Sequence, residues 1–341
     1  MDAVLVEPKD RRDWDEFVQG SRNVIAWHAF HWSDLLAKHF NAKFYPLAVY
    51  DGPKVAGILP LYRIRTLREG DALTSIPHFV AGGIAAEDPH VNQALLDGAV
   101  KISKELNISR ITLKQYKFRV NGPLSTDENY YNRELEMSPD IDSLWRSISE
   151  TNRAKIEEAM KCRTALEYPS QDVSTFYRFL LHDQHSAGVP CVSKSWVQDL
   201  FSTGAYEIAL LRHNGELIAA TMAKKFRDTV SFPFSCLRDQ DEKTTLFAYS
   251  LYWQLMSKLA KEGIRICHSG RIPKTDAAFA FRLGWGGTKY NYYYQYYGAT
   301  TQNTEFETKR GSKRQMVESV WKKLPLGVAQ ILGPVVVRQF P

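Results

Sequence analysis

The sequence predicts a duplicated α/β fold. Two distant stretches repeat one pattern of hairpin, third strand, helix and returning strand. Helical stripes and strand alternations keep separate periods within that pattern. The length, 341 residues, suits about two domains of roughly 150 residues each.

In the first copy, residues 47–62 read LAVYDGPKVAGILPLY, and Asp51-Gly52 is a hairpin turn signal between apolar runs. An apolar segment over 73–80 follows. Val91, Leu95, Ala99, Ile102 and Leu106 then recur at helical spacing, before the strand ISRITL. In the second copy, 210–225 read LLRHNGELIAATMAKK around Asn214-Gly215, and Ile218-Ala219-Ala220 matches Val55-Ala56-Gly57. TVSFPFSCL alternates through Val230, Phe232, Phe234 and Cys236. Leu246, Tyr249, Trp253, Met256 and Ala260 then form a helical stripe that ends at Gly263, and the strand IRICHSG returns.

The copies are joined near Ser138-Pro139, with Pro139 suited to a first helical position and Asp140 and Asp142 to the positive helix end. One helix is predicted over 140–163, with Leu144, Ile148, Ile156 and Ala159 facing a core. Arg146/Glu150 and Arg153/Glu157 are i,i+4 pairs on it. The domains are therefore expected at 1–137 and 138–300, with a tail over 301–341. That tail is polar over 300–308, then mixes Lys309, Arg310, Lys313, Arg314, Lys322 and Lys323 with Val317, Val320, Trp321, Leu324, Ile331 and Leu332. Such a segment either packs on the body of the protein or lies on an anionic membrane surface.

Composition excludes several classes. With 44% hydrophobic and 24% charged residues, the chain is neither disordered nor a coiled coil. A net charge of +6 without a dense basic stripe permits an anionic partner and argues against an RNA-binding module. Cys162, Cys191, Cys236 and Cys267 are too scattered for a zinc site or a disulfide framework, and read as buried thiols of a cytosolic protein. The N-terminus becomes charged before an apolar core develops, so no secretory signal is read. The longest apolar run, 324–337, is broken by Pro325 and Pro334 and falls short of the ~18–20 residues of a span. There is no G-x-S-x-G elbow, which argues against a serine hydrolase.

Four segments, taken in order, carry a family resemblance. They are HWSDLLAKHF with YPLAVYDGPKVAGILPLYRIR and SIPHFVAGG; LWRSISETNRAKIEEAMK; HSAGVPCVSKSWVQDLF; and ICHSGRIPK with FAFRLGWGGTKYNYYYQYY. Over nearly its whole length the chain resembles the FemAB family. The resemblance implies two tandem GNAT-like α/β domains with a cleft between them. It implies N-acyl or aminoacyl transfer onto an amine of a sugar or peptide precursor of an envelope polysaccharide. The work would be cytoplasmic, or peripheral at the inner face of the inner membrane. The tail WKKLPLGVAQILGP is similar to a subgroup found with exopolysaccharide biosynthesis.

No tightly bound cofactor or metal is implied, and the acyl donor stays open among aminoacyl-tRNA, acyl carrier protein and acyl-CoA. A GNAT pyrophosphate turn is glycine-rich at a helix N-terminus. The corresponding stretch here is RDQDEKTTLF, with carboxylates and no glycine, and the first copy offers only Ala81-Gly82-Gly83. An acyl-CoA-dependent N-acetyltransferase and an inactive GNAT-like scaffold are the alternatives.

The family's Phe-Lys-x-x-Phe/Trp-Gly motif reads Phe281-Arg282-Leu283-Gly284-Trp285-Gly286 here. The resemblance makes Arg282 the residue that stabilises the reacting ester, with charge but without titration. His268 is the candidate general base, since histidine titrates near neutrality. Lys38, at the family's substrate-lysine spacing after Trp32, is expected to neutralise a phosphate of a nucleotide- or lipid-linked sugar precursor; Lys194, after Ser193, is expected to face the acceptor cleft, and Arg153 to bind substrate. Ser269 and Arg271 follow a strand end, where clefts form. Tyr294, in the aromatic run 290–297, and Gln295 are expected to meet a sugar or nucleotide. His182 and His185, three apart, lack further metal ligands in the sequence. Trp27-His28 and His31-Trp32 read as a packed aromatic segment.

Overall fold

The computed structural model describes residues 1–67, 70–239, 241–274, 281, 284–298 and 318–341. The chain forms two compact units. The first comprises Met1–Tyr130, the described residues of 291–310, and Arg338–Pro341; the second comprises Tyr131–Tyr290 and the described residues of 311–337. The boundary thus falls before the expected 137/138, and residues 291–297 belong to the first unit. The reason is pairing, since that strand forms a ladder with strands of the first unit.

The first unit contains β1 (Val4–Leu5), α1 (Arg11–Gly20), α2 (Trp32–Phe40), β2 (Lys43–Asp51), β3 (Lys54–Thr66), β4 (Gly70–Ser75), β5 (Ala85–Ala86), α3 (Pro89–Glu105), β6 (Ile111–Tyr116) and β7 (Ser125–Asp127). The second contains β8 (Tyr130–Glu136), α4 (Ile141–Ser147), α5 (Glu150–Met160), β9 (Thr164–Ser170), α6 (Val173–Ala187), α7 (Lys194–Ser202), β10 (Tyr206–His213), β11 (Glu216–Phe226), β12 (Thr229–Leu237), α8 (Glu242–Lys261), β13 (Ile266–His268) and β14 (Ile272–Pro273). β15 (Thr288–Tyr297) and α9 (Leu326–Val337) follow.

Both turn signals close hairpins. Asp51 pairs with Lys54 and His213 with Glu216. Asn214 and Gly215 both have positive φ, 52° and 83°, which suits the strand twist of a two-residue turn. The sheet order in the first unit is β1-β2-β3-β4-β6-β15; in the second it is β8-β13-β12-β11-β10-β9. β4 lies parallel to β6, and β12 parallel to β13. In each unit a helix, α3 or α8, connects that parallel pair, as the repeat in the sequence requires.

α3 buries Val91, Leu95, Leu96, Ala99 and Ile102 against Leu47, Leu59, Leu61, Leu73 and Ile111. Each large aliphatic side chain removed from water contributes about 1.5–3 kcal/mol. On α8 the deepest line is Phe247, Leu251, Leu255 and Leu259, packed on Ala209, Leu211, Ala219, Ala223 and Val230. It is rotated from the expected stripe, so Tyr249 and Trp253 are only half-buried.

The predicted helix 140–163 is two helices. Ile148 is extended, and the Ser149 hydroxyl accepts from Asn152 N to start α5. Pro139 precedes the cap, which is Asp140, accepting from Asp142 N. The break puts Arg146 and Glu150 on separate helices, and Arg146 bonds the Ser143 hydroxyl. Cys191, Cys236 and Cys267 are buried and Cys162 half-buried, all as free thiols.

Candidate functional site

Among the described residues, the second unit's sheet opens between β12 and β13. β12 pairs with β13 only through Thr229↔Ile266, Val230↔Cys267 and Ser231↔His268. β12 then runs on to Leu237 beside β11, whereas the chain after His268 turns at Gly270, φ 78°.

A row of polar residues crosses the sheet at that opening. Tyr206 pairs with Lys224, Lys224 with Ser231, Ser231 with His268, and His268 with Glu134. Directly paired residues share a face. The next row, Val230, Cys267 and Leu135, faces the opposite way, into the apolar core under α8. Lys224 is 3% exposed, and burial pushes its ammonium well below the ordinary lysine range. Burial likewise raises the Tyr206 phenol. Ser231 and His268 are half-buried.

Asn132, fully buried, orients His268. Its Oδ1 accepts from Gly270 N at 3.0 Å and from the Ser269 hydroxyl at 3.3 Å. A backbone N–H only donates, so the amide orientation is fixed and Nδ2 faces His268 Nδ1, 3.0 Å away. Nδ1 is then the acceptor, and the neutral ring carries its proton on Nε2. Glu134 Oε1 lies 3.7 Å from Nδ1. The expected general base is therefore placed as a hydrogen-bond donor.

The Phe281–Gly286 motif is anchored from two sides. Asn152 Nδ2 donates to Phe281 O at 3.0 Å, and Ser149 N donates to Gly284 O at 2.8 Å. Arg133 Nε and a terminal nitrogen each donate, at 2.9 Å, to Gly286 O and Gly287 O. Gly287 has φ 88°, and a Cβ there would stand 2.6 Å from Glu134 O, so only glycine fits. Trp285 and Phe281 sit among the rings of Tyr249 and Tyr252, 4.7–6.3 Å between centroids. Trp285 Nε1 is buried with no hydrogen-bond partner among the described residues.

The helix N-termini that follow the third strands are occupied. The Asp241 carboxylate accepts from Thr244 N at 2.6 Å at the start of α8, and Glu242 adds a second negative charge. The Asp88 carboxylate accepts from His90 N at 2.8 Å at the start of α3. Gly82 N, in the only glycine pair of the first copy, donates to Lys114 O.

The sequence-predicted residues divide between the units. Lys38 is exposed on α2 of the first. Tyr294 and Gln295, also in the first, are buried. The Tyr294 hydroxyl donates to Val80 O at 2.9 Å. The Gln295 amide accepts from Val120 N and donates to Val120 O, both at 2.8 Å. Gln295 thus clamps a loop instead of facing a substrate, and Tyr294 belongs to a cluster with Tyr130, Tyr292 and Ala81.

In the second unit, His268 and Ser269 meet at Asn132. The Ser269 hydroxyl also accepts from Arg133 N at 2.9 Å, so it holds the strand end together. Arg271 and Lys194 are exposed, Lys194 at the first position of α7, and Arg153 is half-buried on α5. Arg282 lies outside the described residues. His185 Nε2 bonds Leu324 O at 2.8 Å and so fixes the tail. His28 is buried, its Nε2 on Gly83 O, Trp27 stacks on Phe79 and Trp32 packs tilted against it, as the aromatic reading expected.

Lys224, Glu134, Asn132, Arg133 and Asn152 were missed in the sequence. A lysine at a strand end and polar residues in YYNRELE read as solvated positions. Only the register shows that they converge.

No family model and no curated protein matches the chain. Among solved structures, FemX superposes with a TM-score of 0.70 at 13% identity, over 89% of this chain and 99% of that one. The C-terminal DUF2156 domain of a putative lysylphosphatidylglycerol synthetase from Agrobacterium fabrum gives 0.59 at 9% identity, over 86% and 93%. A tandem GNAT protein from the clavulanic acid biosynthesis pathway gives 0.52 at 9%, over 88% and 99%. The fold is thus α/β and GNAT-like in tandem.

Proposed function

We propose that this protein transfers an acyl or aminoacyl group from an activated carrier to an amine. The acceptor in this reading is a sugar or peptide precursor of an envelope polysaccharide. The observation that carries the proposal is the row Lys224, Ser231, His268 and Glu134 at the opening of the sheet. The tandem GNAT-like fold, which FemX also has, supports it.

Acyl transfer to an amine needs a proton acceptor and a donor for the developing oxyanion. Lys224 and His268 stand two strand spacings apart, roughly 10 Å between backbones, with Ser231 between them. The amine nitrogen attacks the carbonyl carbon. His268 Nε2–H donates to the oxyanion. Lys224 Nζ, whose proton affinity burial lowers, takes the amine proton. As the tetrahedral adduct collapses, the carbon–oxygen or carbon–sulfur bond to the carrier breaks, and that proton passes to the leaving oxygen or sulfur. Arg282 adds a fixed positive charge, as the family resemblance implies.

The capped N-termini of α3 and α8 support a donor other than acyl-CoA. Aminoacyl-tRNA and acyl carrier protein are the remaining candidates, and neither needs a pyrophosphate turn. The test supplies charged tRNA, acyl carrier protein and acetyl-CoA with an amino-sugar or peptide acceptor and follows amide formation. Transfer from the first or second is expected, with loss of about two orders of magnitude in His268→Gln. Wild-type rates in both His268→Gln and Lys224→Met overturn the site. Preference for acetyl-CoA overturns the donor.

A further inference from the structure

The tail helix presents two unlike faces. α9 packs against α6 and buries small residues towards the body of the protein. Ala329 and Gly333, one turn apart, are buried, and a Cβ on Gly333 would meet the backbone oxygen of Cys191. Trp321 is buried just upstream, and the His185 bond to Leu324 O fixes the entry to the helix.

Another face is apolar and open. Val328, Ile331, Leu332 and Val335 are 40%, 74%, 41% and 56% exposed. Their spacing is i, i+3, i+4, i+7, the stripe that a helix ordinarily buries. Here the body of the protein takes the small residues and leaves the large ones outward. Such an arrangement costs solvation unless something apolar covers it.

The charges decide what covers it. The helix carries no acidic residue in its first turn and none in its sequence, LGVAQILGPVVV. Lys322 and Lys323 stand exposed immediately before it. A second copy laid along the same stripe would bring these lysines no carboxylate from the helix. An anionic lipid surface supplies both an apolar layer and negative charge. Twelve residues span about 18 Å, short of the ~30 Å hydrocarbon core. No described helix is long and apolar enough to cross a membrane.

We infer that α9 docks this protein on an anionic bilayer, with Val328, Ile331, Leu332 and Val335 inserted among the acyl chains and Lys322 and Lys323 at the phosphates. This inference stands apart from the transfer chemistry, because lipid binding is read without turnover.

The test is flotation of the full chain with vesicles of phosphatidylcholine alone and of phosphatidylcholine mixed with phosphatidylglycerol. Binding to the mixed vesicles is expected, and weak binding to the neutral ones. Ile331→Asp/Leu332→Asp, at exposed positions that leave the docked face intact, is expected to weaken binding by about tenfold or more. Lys322→Glu/Lys323→Glu is expected to weaken it by about fivefold per lysine, an effect that added salt erases. Absence of anionic-vesicle binding overturns the inference, as does binding that ignores the apolar substitutions. A dimer in solution that Ile331→Asp/Leu332→Asp converts to monomer, without vesicle binding, assigns the stripe to a second copy instead.

Discussion

Replacing Lys224 with methionine separates folding from chemistry at one position. Lys224 is buried in β11, and burial alone lowers its ammonium well below the ordinary 10.5. Between the lowered folded value and 10.5, the unfolded chain holds this proton and the native chain releases it. Stability from this group therefore rises with pH across that window, by about 1.4 kcal/mol per pH unit. It stops rising near 10.5, where both states are neutral. Methionine has similar length, fills the same space and carries no proton. All other groups titrate alike in the two proteins, so their difference isolates Lys224. Urea unfolding at a series of pH values below 10.5 measures it. Lys224→Met is expected to be the more stable protein at the low end of the window, with an advantage that shrinks by about 1.4 kcal/mol for each unit of rising pH. The same variant should lose transfer activity despite folding well. Parallel stability curves, or a variant weaker by the same amount at every pH, would refute the argument that a desolvated lysine sits at the sheet opening.

Two further outcomes follow from the same geometry. Gly287→Ala places a Cβ 2.6 Å from Glu134 O at φ 88° and should cost about 2–4 kcal/mol, from left-handed strain and overpacking together; a urea midpoint unchanged from wild type contradicts this. Burial lowers His28 from 6.5 to about 4, so its contribution is complete above pH 6.5 and is lost as pH falls towards 4. That loss is about 3 kcal/mol, and His28→Gln should flatten the acid limb of a stability–pH curve over that interval, while an unaltered limb assigns acid sensitivity elsewhere.

The sequence made the repeat legible because its signals are local. Asp51-Gly52 and Asn214-Gly215 declare hairpins by backbone preference, and the spacing of Val91, Leu95, Ala99 and Ile102 declares the α3 core face. Where local signals compete, the reading drifted. The 140–163 stretch has helical residues throughout, yet Ser149 competes for Asn152 N and starts a second helix. Tyr294 and Gln295 lie in an aromatic run that suggests a binding surface. Their polar atoms are instead bonded to Val80 and Val120, partners more than 170 residues distant in the chain, which no local pattern reveals.

The sequence by itself determined the duplicated α/β order, the hairpins, the apolar faces of the helices and the motif of closely placed glycines at 284–287. These follow from backbone preference and hydrophobic period, which act over a few residues. Tertiary structure alone decided the chemistry of the site. Register across β10, β11, β12, β13 and β8 lines up Tyr206, Lys224, Ser231, His268 and Glu134. Desolvation then lowers the proton affinity of Lys224, and the Gly270 N–H, through Asn132, sets the tautomer of His268. Proton affinity and hydrogen-bond direction depend on neighbours brought together by folding, and those neighbours come from every part of the second unit.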